Sequence, residues 1–245
     1  MSASSLEFGI PGLNIPGLNI TSFLRYVEDP DRLDDAFRIQ DTLRESPKRA
    51  EMVSHLFAAA RSDHFFMELY REKYLPVYPT TEALLKMHAG TLGRALGEHL
   101  ERNNIKVDFA GVDTSGYYKT EMNEVSFLAI RALRNHDAFH VLTGLGVSAF
   151  DECALVALQL AQFYSPFHAT LLASWTLHYT FMNPAKMREV LEVTNTYYTL
   201  GKTIRFLPGF KTEDHWLTPL EEVRSMLGLT VPAELGADRL LGPSA

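Results

Sequence analysis

The chain has 245 residues, 46% of them hydrophobic and 22% charged, which is enough apolar material for one large core. Its formal net charge is −7 and no basic stripe offsets that balance, so nucleic acid is excluded as a partner. The lone cysteine, Cys153, rules out an internal disulfide and suits a reducing compartment.

The N-terminus, MSASSLEFGIPGLNIPGLNI, has no basic segment ahead of an apolar run and no arginine before Arg25. It reads as neither a secretory signal nor an arginine-rich transit peptide, so a cytoplasmic location, peripheral to the membrane, is expected. The tandem IPGLN within residues 10–20 is too rich in proline and glycine for a regular helix or central strand. Residues 1–30 are therefore expected to form a short irregular arm, either free or packed on the partner subunit of a homodimer.

From Asp31 the apolar spacing is helical, and residues 31–245 are expected to form one all-α domain. Helices are predicted over 31–45, 47–61, 63–74, 90–103, 117–142, 148–163, 166–182, 184–201 and 219–227, with loops at 104–116 and 202–217. Ser46-Pro47, Ser165-Pro166, Asn183-Pro184 and Thr218-Pro219 each set a capping side chain before a proline in the first turn. Glu221, three residues after Thr218, completes a predicted capping box. The most apolar stretch, PFHATLLASWTLHYTFM at 166–182, is short and polar for a membrane span. It leaves peripheral membrane contact open.

The chemistry concentrates in NHDAFHVLTGLGVSAFDE, residues 135–152. On a helix, His136 and His140 lie about 40° apart around the axis and one turn apart along it. Asp137 stands at the edge of that face, about 100° from His136. Gly144 and Gly146 let the chain turn, and Ser148 with Asp151 three residues on predicts the next helix start. Glu152 then falls in the first turn of the second helix, opposite the end of the first. Two imidazoles and two carboxylates suit a divalent metal, Zn²⁺ or Fe²⁺, with Mg²⁺ a further option. The plainer reading is local pairing of histidines with carboxylates on a surface. His136-Asp137 also fits an HD-type metal phosphohydrolase, which needs a further histidine and aspartate. His88, His99, Asp113 and Asp214 are available for that role. A di-iron bundle would need two Glu-x-x-His elements, and only Asp137-x-x-His140 approaches one.

This segment resembles the signature of the Coq-four family of coenzyme Q (ubiquinone) biosynthesis proteins: HD, two residues, H, eleven residues, E. In this chain it reads His136, Asp137, His140 and Glu152, followed after the second histidine by VLTG as in the family. GTLGRALGEHL at 90–100, ALQLAQ at 157–162 and LGKTIRFLPGFKTEDHWLTPLEEVRSMLGL at 200–229 are similar to further family segments. The resemblance covers about residues 80–229. Asp151 departs from it, standing where glycine is usual, and the segment VDFAGVDTSG and the first 30 residues match nothing in it. The absence of a transit peptide points to a bacterial relative.

The resemblance implies a helical protein that binds a divalent metal, usually zinc, through His136, Asp137, His140 and Glu152. It implies a role at membrane faces in ubiquinone biosynthesis, with a polyprenylated precursor and other pathway enzymes as partners. Two functions follow from it: support of oxidative removal of a ring carboxylate, or a non-catalytic isoprenoid-binding scaffold. Candidate contacts for substrate or lipid are Phe167, Leu171 and Trp175 along 163–182, with Arg94, Lys202 and Arg205 for an anion. Apolar residues at such spacing serve more often as core, and a cation at a helix end more often answers the helix dipole. His168 and His178 read as hydrogen-bonded or exposed groups, and Cys153 as packing. A metal with an exchangeable position beside an apolar cleft would favour the enzyme. A metal closed by four side chains would favour the scaffold.

Overall fold

A computed structural model describes residues 15–105 and 123–232. Among them lie twelve α-helices: α1 Ile20–Glu28, α2 Leu33–Arg44, α3 Arg49–Ser62, α4 His64–Glu72, α5 Thr81–Leu85, α6 Leu92–Arg102, α7 Glu124–Arg134, α8 His136–Thr143, α9 Ala149–Gln162, α10 Pro166–Phe181, α11 Met187–Gly201 and α12 Leu220–Leu227. No strand occurs among the described residues, and the fold is a single all-α domain. The one β-bridge among them joins Thr91 to Pro219.

The sequence of α9, AFDECALVALQLAQ, is apolar on nearly every face, and a helix of that kind belongs at the centre. Cys153, Ala154, Leu155, Ala157 and Leu158 are fully buried along it. α11 and α10 pack directly on α9, while α6, α8 and α12 complete the main core from the other side. A smaller core is formed by α3, α4 and α7 around Phe57, Phe66 and Phe127. The α9–α11 contact is close because α11 ends at Gly201, where a Cβ would lie 2.4 Å from the carbonyl oxygen of Leu158. Backbone cannot swing away as a side chain can. Gly201→Ala is expected to destabilise the fold by about 1–3 kcal/mol, the cost of overpacking a tight core, measurable by urea denaturation.

Most helices form where the spacing predicts them, and the differences have local causes. The stretch expected as an arm contains α1, whose Asn19 side chain accepts the Ser22 N–H at 3.0 Å and whose Tyr26 and Val27 enter the core. The dense IPGLN repeat hides this helix start, and the first 14 residues lie outside the described set. Among the serine-, asparagine- or threonine-proline starts, Ser165 caps α10 through the His168 N–H as expected. Ser46 accepts instead from Lys48, one residue before α3 begins. Asn183-Pro184 opens a 3₁₀ turn over Pro184–Lys186 ahead of α11. Thr218 does not cap α12; its carbonyl accepts the Leu92 N–H at 2.9 Å, so it serves the first turn of α6. The predicted 202–217 loop contains two 3₁₀ turns, Leu207–Gly209 and Thr212–His215.

The predicted helix 117–142 is divided. Residues 106–122 lie outside the described set, and α7 gives way to α8 at Asn135. The buried Asn135 carboxamide donates to the Arg131 carbonyl at 3.0 Å and accepts the Tyr78 hydroxyl at 2.6 Å. A side chain that bonds its own helix's carbonyl competes with the backbone and bends the helix there. His136 is thereby the first residue of a new helix.

Candidate metal centre

The hairpin α8–α9 is fixed from both sides. Gly144 ends α8 in the left-handed conformation (φ 74°), which glycine adopts without strain. Arg224 of α12 donates to the exposed end of α8, with Nε to the Leu142 carbonyl at 2.8 Å and Nη2 to that of Val141 at 2.9 Å. Ser148 and Asp151 form the capping box that starts α9. Asp151, the departure from the family pattern, thus helps to build the hairpin, because its carboxylate takes the Ser148 N–H at 3.3 Å.

Three side chains converge where the two helices face each other. The Nε2 atoms of His136 and His140 stand 3.0 Å apart. Glu152 Oε1 lies 3.1 Å from His140 Nε2, and Oε2 lies 3.5 Å from His136 Nε2. All the candidate ligand atoms fall within 4.8 Å of one another. The His140 side chain is fully buried, whereas about a third of His136 and over a quarter of Glu152 remain exposed (33% and 28%). Burial pulls the His136 imidazole down, but the hydrogen bond and charge of Glu152 outweigh it and hold its pKa above the ordinary value. Burial likewise opposes ionisation of Glu152, and its bonds to both histidines win, holding it far below the usual carboxylate range.

This donor set fits a divalent metal. Two imidazole nitrogens aimed at each other need a shared proton or a cation between them, and a carboxylate beside them supplies the compensating charge. His140 Nδ1 has no hydrogen-bond partner, so beyond its Nε2 contacts the ring is held by packing, stacked on His99 with centroids 5.7 Å apart and planes 18° apart.

The fourth expected ligand is not part of this cluster. Asp137 Oδ1 lies 3.8 Å from His99 Nε2 of α6. Burial works against its charge, and His99, then His136, keep its pKa low. Three more groups surround the site that the spacing did not single out as its members. His99 appeared only as an option for the HD-type arrangement. Burial, then the charge of His136, push the His168 imidazole down to about 4. Burial first, then the charge of Glu152, raise the Tyr26 hydroxyl well above its ordinary value. These residues come from α6, α10 and α1, and only the tertiary fold brings them together. The aspartates available for an HD-type site do not join it: Asp214 accepts the Tyr74 hydroxyl at 2.5 Å, and Asp113 lies outside the described residues.

The expected substrate contacts are dispersed. Leu171 and Trp175 are buried in the main core, with Phe167 packed at its margin. Arg94 pairs with Glu98 one turn on within α6 at 2.6 Å and ties that helix to the Leu85 carbonyl at 2.5 Å. Lys202 is exposed and sits over the Tyr198 ring at 5.4 Å. Arg205 lies 4.8 Å over Phe65 and lines a cavity of about 240 Å³ with Lys211 and His215. Cys153 is buried as packing, and burial pushes its thiol up to about 11.

A family model described as coenzyme Q (ubiquinone) biosynthesis protein Coq4 matches residues 50–233, well over half of the chain and including all three converging side chains. The chain belongs to the Coq4 family. It is 25% identical over 216 residues to the mitochondrial ubiquinone biosynthesis protein coq4 of Botryotinia fuckeliana, covering 78% of this chain and 71% of that one. The fold also matches the crystal structure of a Nostoc punctiforme PCC 73102 chain to which a ubiquinone biosynthesis role has been ascribed. That match has a TM-score of 0.70 at 20% identity and covers 87% of this chain and 96% of that one. At that identity the likeness concerns the fold. The Coq4 match extends the resemblance seen from about residue 80 back to residue 50. No helix among the described residues is long and apolar enough to cross a membrane.

Proposed function

We propose that this Coq4 member serves ubiquinone biosynthesis by holding one divalent metal, zinc by its donor set, on His136, His140 and Glu152. The site would lie beside a polyprenylated aromatic precursor, in support of a step at its ring carboxylate. The convergence of three ligand atoms within 4.8 Å in a member of this family carries the reading. Bound there, the metal would supply Lewis acidity to a phenolate or carboxylate oxygen. The chain's own contribution is orientation. α8 and α9 fix the imidazoles and the carboxylate, and Glu152 offsets the charge. The exposed parts of His136 and Glu152 leave an approach from outside. Zinc carries no redox chemistry, so an oxidative step would draw its electron acceptor from elsewhere.

Peripheral membrane contact and isoprenoid uptake belong to the same proposal. They are supported by exposed apolar side chains on and beside α10 and α11: Phe181 (71%), Met182 and Leu191. A long prenyl chain needs such surface, and its partners would include other enzymes of the pathway.

The test uses purified protein and a ubiquinone-deficient strain. Elemental analysis is expected to find one divalent metal per chain, and lipid extracts are expected to contain an isoprenoid. His140→Ala is expected to stay helical by circular dichroism, lose metal and fail to restore ubiquinone. Complementation by a folded, metal-free His140→Ala would leave the scaffold as the function. Absence of metal from the wild type would overturn the metal reading.

A further inference from the structure

We propose that the cavity between α4 and the 205–215 segment binds a phosphoryl group, free or carried on a lipid headgroup, through Arg205 and Lys211. None of its lining residues belongs to the α8–α9 hairpin, so the site stands apart from the metal reading. Its volume is about 240 Å³. Sites that enclose a drug-sized molecule measure roughly 300–1,000 Å³, so this one suits a small charged head. The walls are fixed. The Arg205 N–H donates to the Leu227 carbonyl at 3.0 Å, and the Arg205 carbonyl accepts the Gln162 carboxamide at 2.8 Å. Gly209 lets the 207–209 turn close on the start of α4. A Cβ there would lie 2.5 Å from Asp63 Oδ1, the atom that caps the helix through the Phe66 N–H.

The Arg205 guanidinium is clamped but unpaired. Its Cζ lies 4.8 Å over the Phe65 ring and 5.6 Å over that of Phe210, which is itself stacked on His215 with planes 9° apart. A cation held on aromatic faces is ordered before any ligand arrives, which lowers the cost of binding. Among the described residues the guanidinium has no hydrogen-bond or ion-pair partner. The carboxylates lining the cavity are answered elsewhere: Glu68 by His64 at 3.0 Å, and Asp214 by the Tyr74 hydroxyl at 2.5 Å. Lys211 is held loosely, with Nζ 3.6 Å from Glu72 and its side chain 41% exposed. A planar fork can take two oxygens of one anion, and an ammonium beside it balances a second charge. A carboxylate would need only the fork. The second cation favours a doubly charged phosphoryl group. Phe65, 52% exposed, offers apolar surface to whatever carries it.

The full chain is titrated with inorganic phosphate and followed by ³¹P NMR. Saturable binding is expected, with sulfate competing and acetate failing to compete. Arg205→Gln is expected to weaken it by about 10–100-fold, the loss that accompanies removal of a charged hydrogen-bond donor. Arg205→Lys is expected to fall between, because an ammonium keeps the charge without the fork. Phe65→Ala removes no charge and is expected to cost about 2–5-fold by releasing the clamp. Asp214→Asn is expected to tighten binding, since a neighbouring negative charge is gone. Arg188→Gln, at an exposed arginine paired with Glu192, is expected to change nothing. Flotation with phosphatidylcholine vesicles, with and without phosphatidic acid, separates the two sources. Retention by phosphatidic acid that Arg205→Gln abolishes assigns the site to a lipid headgroup. Binding of free phosphate without such retention assigns it to a soluble phosphate. The proposal is overturned if the wild type shows neither saturable phosphate binding nor Arg205-dependent retention. It is also overturned if Arg205→Gln binds phosphate as the wild type does, or if acetate competes as well as sulfate. Arg205 is exposed and its backbone bonds remain in Arg205→Gln, so circular dichroism is expected to match the wild type. Phe65→Ala and Asp214→Asn, with their opposite signs, decide the question if it does not.

Discussion

Glu152→Gln is expected to weaken divalent-metal binding by more than about 100-fold while leaving the helical content unchanged. Changes in residues that merely orient ligands cost about 10–100-fold, and in the proposed site Glu152 would supply a ligand oxygen as well as the charge that balances the ion. Glutamine keeps the shape and removes that charge, so the loss reports coordination rather than packing. The fold should survive because Glu152 lies at the partly exposed start of α9, where losing a carboxylate costs about 0.3–1 kcal/mol of helix-dipole interaction. The pH dependence gives a second readout. Glu152 holds the pKa of His136 above its ordinary value, and protons compete with metal for that nitrogen. Apparent affinity in the wild type should therefore fall as pH drops through this raised pKa. In Glu152→Gln the fall should begin at lower pH, because the group that raised His136 is gone. In the metal-free protein the pair contributes stability from both members. The His136 share is lost as pH rises through its raised folded pKa, and the Glu152 share is lost as pH falls towards its depressed one. Isothermal titration with Zn²⁺ at several pH values checks both results. Unchanged affinity in Glu152→Gln would remove Glu152 from the ligand set.

The sequence made one part of the site plain and concealed another, for the same physical reason. His136, His140 and Glu152 are joined by a helix turn and a short hairpin, and local geometry fixes such relations. The capping box at Ser148 and the left-handed end at Gly144 were readable because each rests on residues within a few positions. The place of His99 beside this cluster was not. It stands 38 positions before Asp137 on another helix, and on α6 it looks like one more inward residue beside Leu96 and Leu100. His168 and Tyr26 were hidden in the same way. The wide apolar stretch of α10 supplied core at Leu171 and Trp175, because periodicity identifies an inward face without saying whether a ligand or a neighbouring helix covers it. The division of the predicted 117–142 helix turned on Asn135, whose competition with the backbone depends on Tyr78, 57 positions away.

Glu213→Ala is expected to destabilise the protein by about 3–5 kcal/mol, the cost of leaving a buried charge without its partner. Arg131 and Glu213 form an ion pair with side chains 1% and 3% exposed, and neither reaches water. Arg131 also donates through Nη2 to the Phe210 carbonyl at 2.7 Å and through Nε to that of Pro208 at 3.3 Å. The pair thereby ties the 3₁₀ segment 207–215 to α7. Removing Glu213 strands a guanidinium that two carbonyls cannot neutralise. Replacing both members, as Arg131→Met with Glu213→Leu, should cost less than the sum of the single changes, because neither charge is then left alone. The effect should also reach the metal centre. Asn135 lies 3.4 Å from Glu213 Oε1 and immediately precedes His136, so losing the carboxylate loosens the joint from which α8 starts. Urea unfolding of the metal-free variant is expected to show the stability loss. Zn²⁺ titration is expected to show a weakening of about tenfold, at the lower end of the range for residues that orient ligands. A loss of stability with unchanged metal affinity would separate the joint from the site. Unchanged stability would mean that water or a rearranged neighbour satisfies Arg131 once Glu213 is gone.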